Sequence, residues 1–245
     1  MKKLHLIMPM GGGGTRFGIV GYESPKPLID LNGLPFFVHA ARSITDVIDV
    51  ASITFVVLRD HVNRFSIDKK IKEYYKDAEI IIIEEVLKGA VLTCLEGVKN
   101  LPKDEPILFN DCDHSFVCND FENFCKESRF DEIDGGIMTF ESDSDAFSYV
   151  AFGDDGYINK TVEKVVISND AVCGAYYFKN RQVFEEASEK YLKECSYKEF
   201  FVSGVYNVMA DKGAKIKAFR TDEQISFGTP AEYEQAKKIY EERCK

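Results

Sequence analysis

Short apolar runs alternate with longer segments of helical period over the first 110 residues of this 245-residue chain, the pattern of strands joined by crossover helices. The runs over 3–8 (KLHLIM), 52–58 (SITFVVL), 78–83 (AEIIII) and 106–110 (PILFN) predict strands. Between them, 35–44 predicts a helix with Pro35 as its first residue, 60–75 a helix with Asp60 as N-cap, and 89–101 a third helix. Beyond residue 130 the runs DGGIMTF, FSYVAF, GDDGYINKTVEKVVI and AVCGAYYF are closely spaced and separated by glycine turns. That spacing predicts antiparallel strands joined to the parallel sheet. A helix over 180–194, a strand over 214–219 and a helix over 229–244, capped by Thr229 with Pro230 first, complete a mixed α/β layer fold. No repeat, low-complexity tract or linker breaks the pattern, so residues 1–245 read as one domain.

Composition narrows the partners. With 45% hydrophobic residues the chain can bury one sizeable core. A formal net charge of -10 argues against nucleic acid, which needs a basic face and counterion release. No apolar stretch approaches the roughly 18 residues that span a bilayer, and the start MKKLHLIMPM is interrupted by His5 and Pro9, so it reads as a strand and not as a signal peptide. Seven cysteines, an odd number with no zinc-type spacing, read as reduced thiols of a cytoplasmic protein. Cys112 lies between two aspartates, yet no histidine partner for a nucleophilic thiol is identifiable.

The segment MPMGGGGTRFG (8–18) follows the first strand, at the sheet end where α/β folds bind ligands. It fits neither G-x-x-x-x-G-K-[ST] nor G-x-G-x-x-G. Two readings remain: a flexible turn, or an anion nest in which the backbone of Met10, Gly11, Gly12, Gly13, Gly14 and Thr15 meets a phosphate beside the Arg16 guanidinium. Next comes SPKPLIDLNGLP (24–35), where Pro25 and Pro27 fix the backbone on both sides of Lys26 and so aim its ammonium.

These two stretches together resemble the signature of the nucleotidyltransferases that make sugar nucleotides, G-G-x-G-[ST]-R followed by P-K-P-[LM]. Further matches fall in family order: an aspartate within FNDCDHSF, VEK (162–164), GAYYF (174–178) and GTPAEY (228–233). The resemblance, to short capsule- and envelope-associated members, covers essentially the whole chain. It implies a Rossmann-like, glycosyltransferase A-type fold: a mostly parallel sheet with helices on both faces and an antiparallel C-terminal extension. The implied activity transfers a nucleoside monophosphate from a nucleoside triphosphate to a phosphorylated small molecule, foremost a sugar 1-phosphate, and releases pyrophosphate, making an activated conjugate for surface polysaccharide synthesis.

Carried over residue by residue, Arg16 and the amides of Gly11 to Thr15 would hold the leaving phosphates, and Lys26 would neutralise the α-phosphoryl group. Lys164 would hold the attacking phosphate, Glu163 would face the acceptor, and Gly174 would leave room for it. Mg²⁺ is expected to bridge the triphosphate at Asp111 or Asp113, with Asp113 favoured because DHSF runs on into an apolar residue. A second metal aspartate of many relatives is replaced here by Ser226. Their base-reading glutamine, five residues ahead of Gly89, is replaced by Glu84; a carboxylate only accepts, so Glu84 or Glu85 would favour CTP or GTP over UTP. EFFVSGVYN (199–207) resembles the acceptor-pocket segment, offering Glu199 and Asn207, with Ser148, Tyr149 and Ser168 as further candidates. Because the chain ends soon after GTP, no appended domain and a single reaction are expected.

Three alternatives stay open. A cytidylyltransferase for a non-sugar phosphate such as phosphocholine would use Phe116, Tyr149, Tyr176 or Phe201 around a quaternary ammonium. The others are a glycosyltransferase of the same fold and a non-catalytic nucleotide-binding protein. Oligomeric state is not readable.

Overall fold

A computed structural model describes residues 2–243; Cys244, expected as a thiol and as the end of the last helix, lies outside the described residues. The chain runs β1 (His5–Met10), α1 (Thr15–Ile19), a 3-10 turn (Lys26–Leu28), a small hairpin of β2 (Asp30–Leu31) and β3 (Leu34–Pro35), then α2 (Phe36–Thr45), β4 (Ser52–Leu58), α3 (Arg59–Phe65), α4 (Ile67–Tyr74), β5 (Glu79–Ile83), α5 (Ala90–Val98) and β6 (Ile107–Asn110). β7 (His114–Val117), α6 (Asn119–Lys126), β8 (Gly135–Glu141), β9 (Ser148–Phe152), β10 (Ile158–Glu163) and β11 (Asp170–Phe178) follow. α7 (Arg181–Glu194), α8 (Val202–Ala210), β12 (Ile216–Arg220), β13 (Glu223–Ser226) and α9 (Pro230–Arg243) complete it.

The main sheet has the order β10-β9-β11-β6-β1-β4-β5, with β8 on β11 and β12 on β8. β6, β1, β4 and β5 are parallel; β8, β9, β10 and β11 pair antiparallel, as expected, and β11 enters antiparallel to β6, whereas the last strand of the sheet, β12, runs parallel to β8. Alternation along β1 sends Leu6 and Met8 into one apolar layer with α2, and Ile7 into another with α5, α7 and α8. A smaller aromatic cluster of Phe17, Phe36, Phe227 and Tyr233 ties α1 to α9. Among the described residues no helix is long and apolar enough to cross a membrane.

Several boundaries differ from expectation for local reasons. The first strand runs over 5–10 and includes Pro9, which lies beyond the Ile7–Phe109 pair where the β1–β6 ladder ends, so no ladder donor is lost on that side. Pro35 is the extended N-cap of α2, with φ -62° and ψ 150°, and the helix begins at Phe36. The single helix expected over 60–75 is two, broken at Ser66 in the left-handed region (φ 50°, ψ 41°). Asp60 is not the cap; it sits in the first turn of α3 and pairs with Arg64 at 3.2 Å. Thr229 does cap α9: the Glu232 amide donates to its hydroxyl at 3.3 Å, and its own amide donates to Glu232 at 2.8 Å, a capping box.

Candidate active site

The carboxyl ends of β1, β4, β5 and β6 lie at one end of the sheet, and the expected site residues leave from them. Two of the four glycines shape the turn. A Cβ on Gly11 would lie 2.6 Å from Ile83 Cδ1, and Gly14 adopts φ +61° beside Lys26. Gly12 and Gly13 are exposed and crowded by nothing, which leaves their amides open to an anion. Met10 is buried beneath the loop, Phe17 anchors it edge-on against Phe36 and Tyr233, and exposed Arg16 reaches a cavity of about 220 Å³.

The cavity floor carries Asp111 and Asp113, in the turn between β6 and β7. The Lys26 ammonium donates to Asp113 Oδ2 at 2.7 Å. Burial works to lower the Lys26 pKa, but the Asp113 charge, with help from Cys112 and Asp111, outweighs it and holds the ammonium above its ordinary range. Burial raises Asp113, and Lys26 more than reverses this, so its carboxylate stays ionised below its usual range. Asp111 lacks that cation, and burial followed by repulsion from Asp113 pushes it up to about 7. Burial also pushes the Cys112 thiol up to about 12, which removes it as a nucleophile near neutral pH.

Two glycines make space for these carboxylates. A Cβ on Gly228 would lie 2.4 Å from Asp113 Oδ2, which gives the glycine of GTPAEY a steric purpose. Gly174, at φ +99°, was expected to leave room for a substrate; the room is filled by the chain itself, since a Cβ would lie 2.8 Å from His114 Cε1 and 3.0 Å from Asp111 Oδ2. His114 Nε2 donates to Asn110 Oδ1 at 2.9 Å, and the Asn110 amide donates to Ala40 O at 2.9 Å. Burial lowers His114 to about 4, so it is neutral, with Nδ1 4.0 Å from Asp113 Oδ1. Ser226 stands directly across from it in the β7–β13 pair.

On the opposite wall, Ser148 donates to Glu163 Oε2, and Ser203 Oγ lies 3.4 Å from Ser148 Oγ. Lys164 is exposed at φ +53°, its ammonium 3.8 Å from Glu163 Oε1 and 5.6 Å from the Phe201 ring centre. Phe147, Tyr176 and Phe201 line the cavity; Phe116 is packed in the core and Tyr149 donates to Ser144 O at 2.7 Å, so neither borders it. Ser168 donates to Val150 O at 2.6 Å.

Two expected acceptor contacts, Asn207 and Glu199, are corrected. Asn207 uses both ends of its amide on the Thr161 backbone, at 2.7 and 3.0 Å, and ties α8 to β10 away from any ligand. Glu199 is exposed and outside the cavity lining. Gly89 is bare because Phe200 crosses it: a Cβ would lie 2.2 Å from the Phe200 nitrogen. Glu84 follows β5 at the loop end of the sheet, but is exposed and gripped by Arg59 at 2.9 Å. Sequence reasoning missed His114, Phe147 and Ser203. The signals were present: His114 adjoins Asp113, and Ser203 lies one helical turn from Asn207.

The donor set suits a hard divalent cation. Among the described residues no three His, Cys, Asp or Glu side chains form a metal cage, yet two carboxylate groups line the same cavity, and one is raised by burial and by repulsion from the other. Mg²⁺ is commonly held by one or two carboxylates with substrate phosphates.

A family model described as "Nucleotidyl transferase" matches residues 5–243. Solved structures of similar fold include a nucleoside-diphosphate-sugar pyrophosphorylase from Vibrio cholerae, 22% identical, covering 95% of this chain and 99% of that one with TM-score 0.81. An inositol-1-phosphate CTP transferase from T. maritima is 18% identical, covering 98% and 97%, with TM-score 0.74. A UDP-glucose pyrophosphorylase complexed with UDP-glucose is 18% identical, covering 99% and 100%, with TM-score 0.76. Among curated proteins there is no match.

Proposed function

The chain belongs to the nucleotidyl transferase family, and from that premise we propose that it transfers a nucleoside monophosphate from a nucleoside triphosphate to a sugar 1-phosphate or a related phosphorylated small molecule, with release of pyrophosphate. The observation that carries this reading is the Lys26–Asp113 ion pair, whose carboxylate lines the cavity together with Arg16, Asp111 and Glu163. The names of the structural neighbours, two sugar-nucleotide pyrophosphorylases and an inositol-1-phosphate CTP transferase, favour a hydroxylated acceptor. The product is an activated conjugate of the kind that feeds surface polysaccharide assembly.

An acceptor phosphate is anionic at neutral pH, so no side chain has to be activated as a nucleophile. Its oxygen bonds to the α-phosphorus, the bond to the α–β bridging oxygen breaks, and that oxygen leaves with the electron pair as pyrophosphate. The protein's task is alignment and charge neutralisation. The amides of Gly12 and Gly13 with Arg16 hold the β- and γ-phosphates, Lys26 meets the α-phosphoryl oxygens, and Lys164 meets the incoming phosphate. Asp111 and Asp113 would hold Mg²⁺, which supplies further neutralisation of the triphosphate when bound. Glu84, an acceptor of hydrogen bonds, selects bases that present an amino group, so CTP or GTP is preferred over UTP.

The test is pyrophosphate release with Mg²⁺, each of the four triphosphates, and a panel of sugar 1-phosphates, inositol 1-phosphate and phosphocholine. Release that needs both substrates supports the transfer. Release from triphosphate and water alone, or from none of the pairs, overturns it, and a UTP preference overturns the role of Glu84.

A further inference from the structure

The path of the main sheet ends at β10 on one side and at β5 on the other. At β10 the backbone is occupied: the Asn207 side chain takes both the N–H and the C=O of Thr161, at 2.7 and 3.0 Å. At β5 it is open. This strand pairs with β4 alone, in unbroken register from Thr54–Glu79 to Leu58–Ile83, and no other group among the described residues bonds the backbone of Ile80 to Ile83. The last capped group is the Ala78 carbonyl just before the strand, which accepts from Lys72 Nζ at 2.5 Å.

An edge of this kind is a template for another strand, and natural proteins blunt it with lysine, proline or a bulge. β5 reads Glu-Ile-Ile-Ile-Ile and has none of these. Its one charge, Glu79, stands at the end and accepts from Asn100 Nδ2 at 2.6 Å, while Ile80, Ile81 and Ile82 remain half-exposed.

Beside the strand runs a groove of about 540 Å³, bordered by Ile80 and Ile82 and walled by α4. The wall carries Asp68, Lys69, Lys72 and Glu73, two charges of each sign. Lys69 and Glu73 are exposed and one turn apart, yet neither forms an ion pair with any described residue. Asp68 Oδ1 is turned in with no donor. A wall without net charge gives no general attraction to an acidic or a basic chain. Turned end for end, it complements itself: in two antiparallel copies of α4, Lys69 of each stands level with Glu73 of the other, and Asp68 comes within a turn of the other's Lys72.

We propose that the β5 edge binds a second copy of this chain, in an antiparallel pairing about a twofold axis that runs through Ile81 normal to the sheet. Such an axis keeps the α4 face common to both copies, so Ile80 of each stands across from Ile82 of the other and the two grooves close together. The open backbone groups of the two edges bond each other, and one continuous sheet crosses the dimer.

The test is sedimentation equilibrium of the parent chain and three variants. The parent is expected to associate reversibly from 27.8 kDa to twice that mass at micromolar concentration. Glu73→Lys and Lys69→Glu each set like charges against one another at both symmetry-related contacts, and each is expected to weaken dimerisation about tenfold. An equimolar mixture of the two variants restores opposite charges at both contacts, as does the chain carrying both substitutions, and each is expected to dimerise as the parent does. Because Lys69 and Glu73 are exposed and unpaired within the chain, all variants are expected to melt with the parent at dilutions where the parent is monomeric. A parent that stays monomeric at every concentration overturns the proposal and leaves the edge to some other chain. Dimerisation unchanged in both single variants overturns it by placing the interface elsewhere, and single variants that mixing does not rescue overturn the end-for-end arrangement.

Discussion

Gly228 lies so close to Asp113 that a methyl group on it would come within 2.4 Å of Oδ2 and 3.1 Å of Cγ. The same Oδ2 receives the Lys26 ammonium at 2.7 Å, and the Phe227 amide donates to the Asp113 carbonyl at 2.9 Å. The turn after β13 thus sets where the carboxylate can stand. In Gly228→Ala the added carbon must displace it. Stability is expected to fall by about 1–3 kcal/mol, as for overpacking, and turnover by roughly 10²-fold, as for an ångström-scale misplacement. Thermal melts and pyrophosphate release measure the two; a variant with parental turnover would detach Gly228 from the site.

Lys26→Ala leaves Asp111 and Asp113 together without their cation. The pair is a quarter exposed, with side-chain exposures of 28% and 25%, so solvent screening limits the stability loss to about 1–2 kcal/mol. The catalytic loss is larger, about 10²–10³-fold in kcat, as when a transition-state donor is removed. Loss of stability with kcat retained would make Lys26 a structural counter-ion.

Asn207→Ala separates packing from recognition. It strips partners from the Thr161 amide and carbonyl, and each unsatisfied group costs about 1–3 kcal/mol where it stays buried. The denaturant midpoint should drop while KM for the acceptor stays within about twofold, since the side chain faces α8 and β10. A selective rise in KM with an unchanged midpoint would return Asn207 to the acceptor site.

At His39 and His61 acid should withdraw stability from near pH 6.5 downward, against the opposite pull of Asp111, which is raised to about 7 and so takes up its proton first in the folded chain. Burial lowers the pKa of both His39 and His61 below the ordinary 6.5; His39 Nε2 donates to Leu31 O at 2.7 Å, which the neutral ring can do. The unfolded chain takes up protons first as pH falls, so stability is complete above 6.5 and is lost on the way down to the folded pKa. Urea midpoints at pH 7.5 and 5.5 show the difference, and His39→Gln should narrow it. In an Asp111→Asn background, where the opposing carboxyl is gone, a midpoint that rises on acidification contradicts the assignment.

The parallel half of the sheet was legible because β4, β5 and β6 are uninterrupted apolar runs bounded by helical periods. What was not legible turned on single backbone conformations and on short pairings. Ser66 has the period of a helix on both sides, and its left-handed φ is set by how α3 and α4 pack on the sheet. β7 and β13 are four residues each, and neither has meaning until the other is beside it. The site divides the same way. Arg16, Asp111, Asp113 and Glu163, which local motifs pointed to, line one cavity and Lys26 bonds Asp113 beside it, while nothing in the sequence tells whether an amide on a helix such as Asn207 meets a ligand or a neighbouring strand. Gly174 was read as a clearance for a ligand when the chain's own atoms, of His114 and Asp111, occupy the clearance.

The β7–β13 ribbon joins residues 114–117 to residues 223–226, and its consequence is one of timing. More than a hundred residues must be made before the second strand can find the first, so this contact has high sequence separation and forms late. During synthesis the sheet and its glycine loop can fold while Asp113 still lacks the Phe227 amide. The Asp113 carboxylate is therefore placed only once residues 223–227 have folded against 113–117, and a chain cut before β13 would display a sheet whose cavity floor is unfinished.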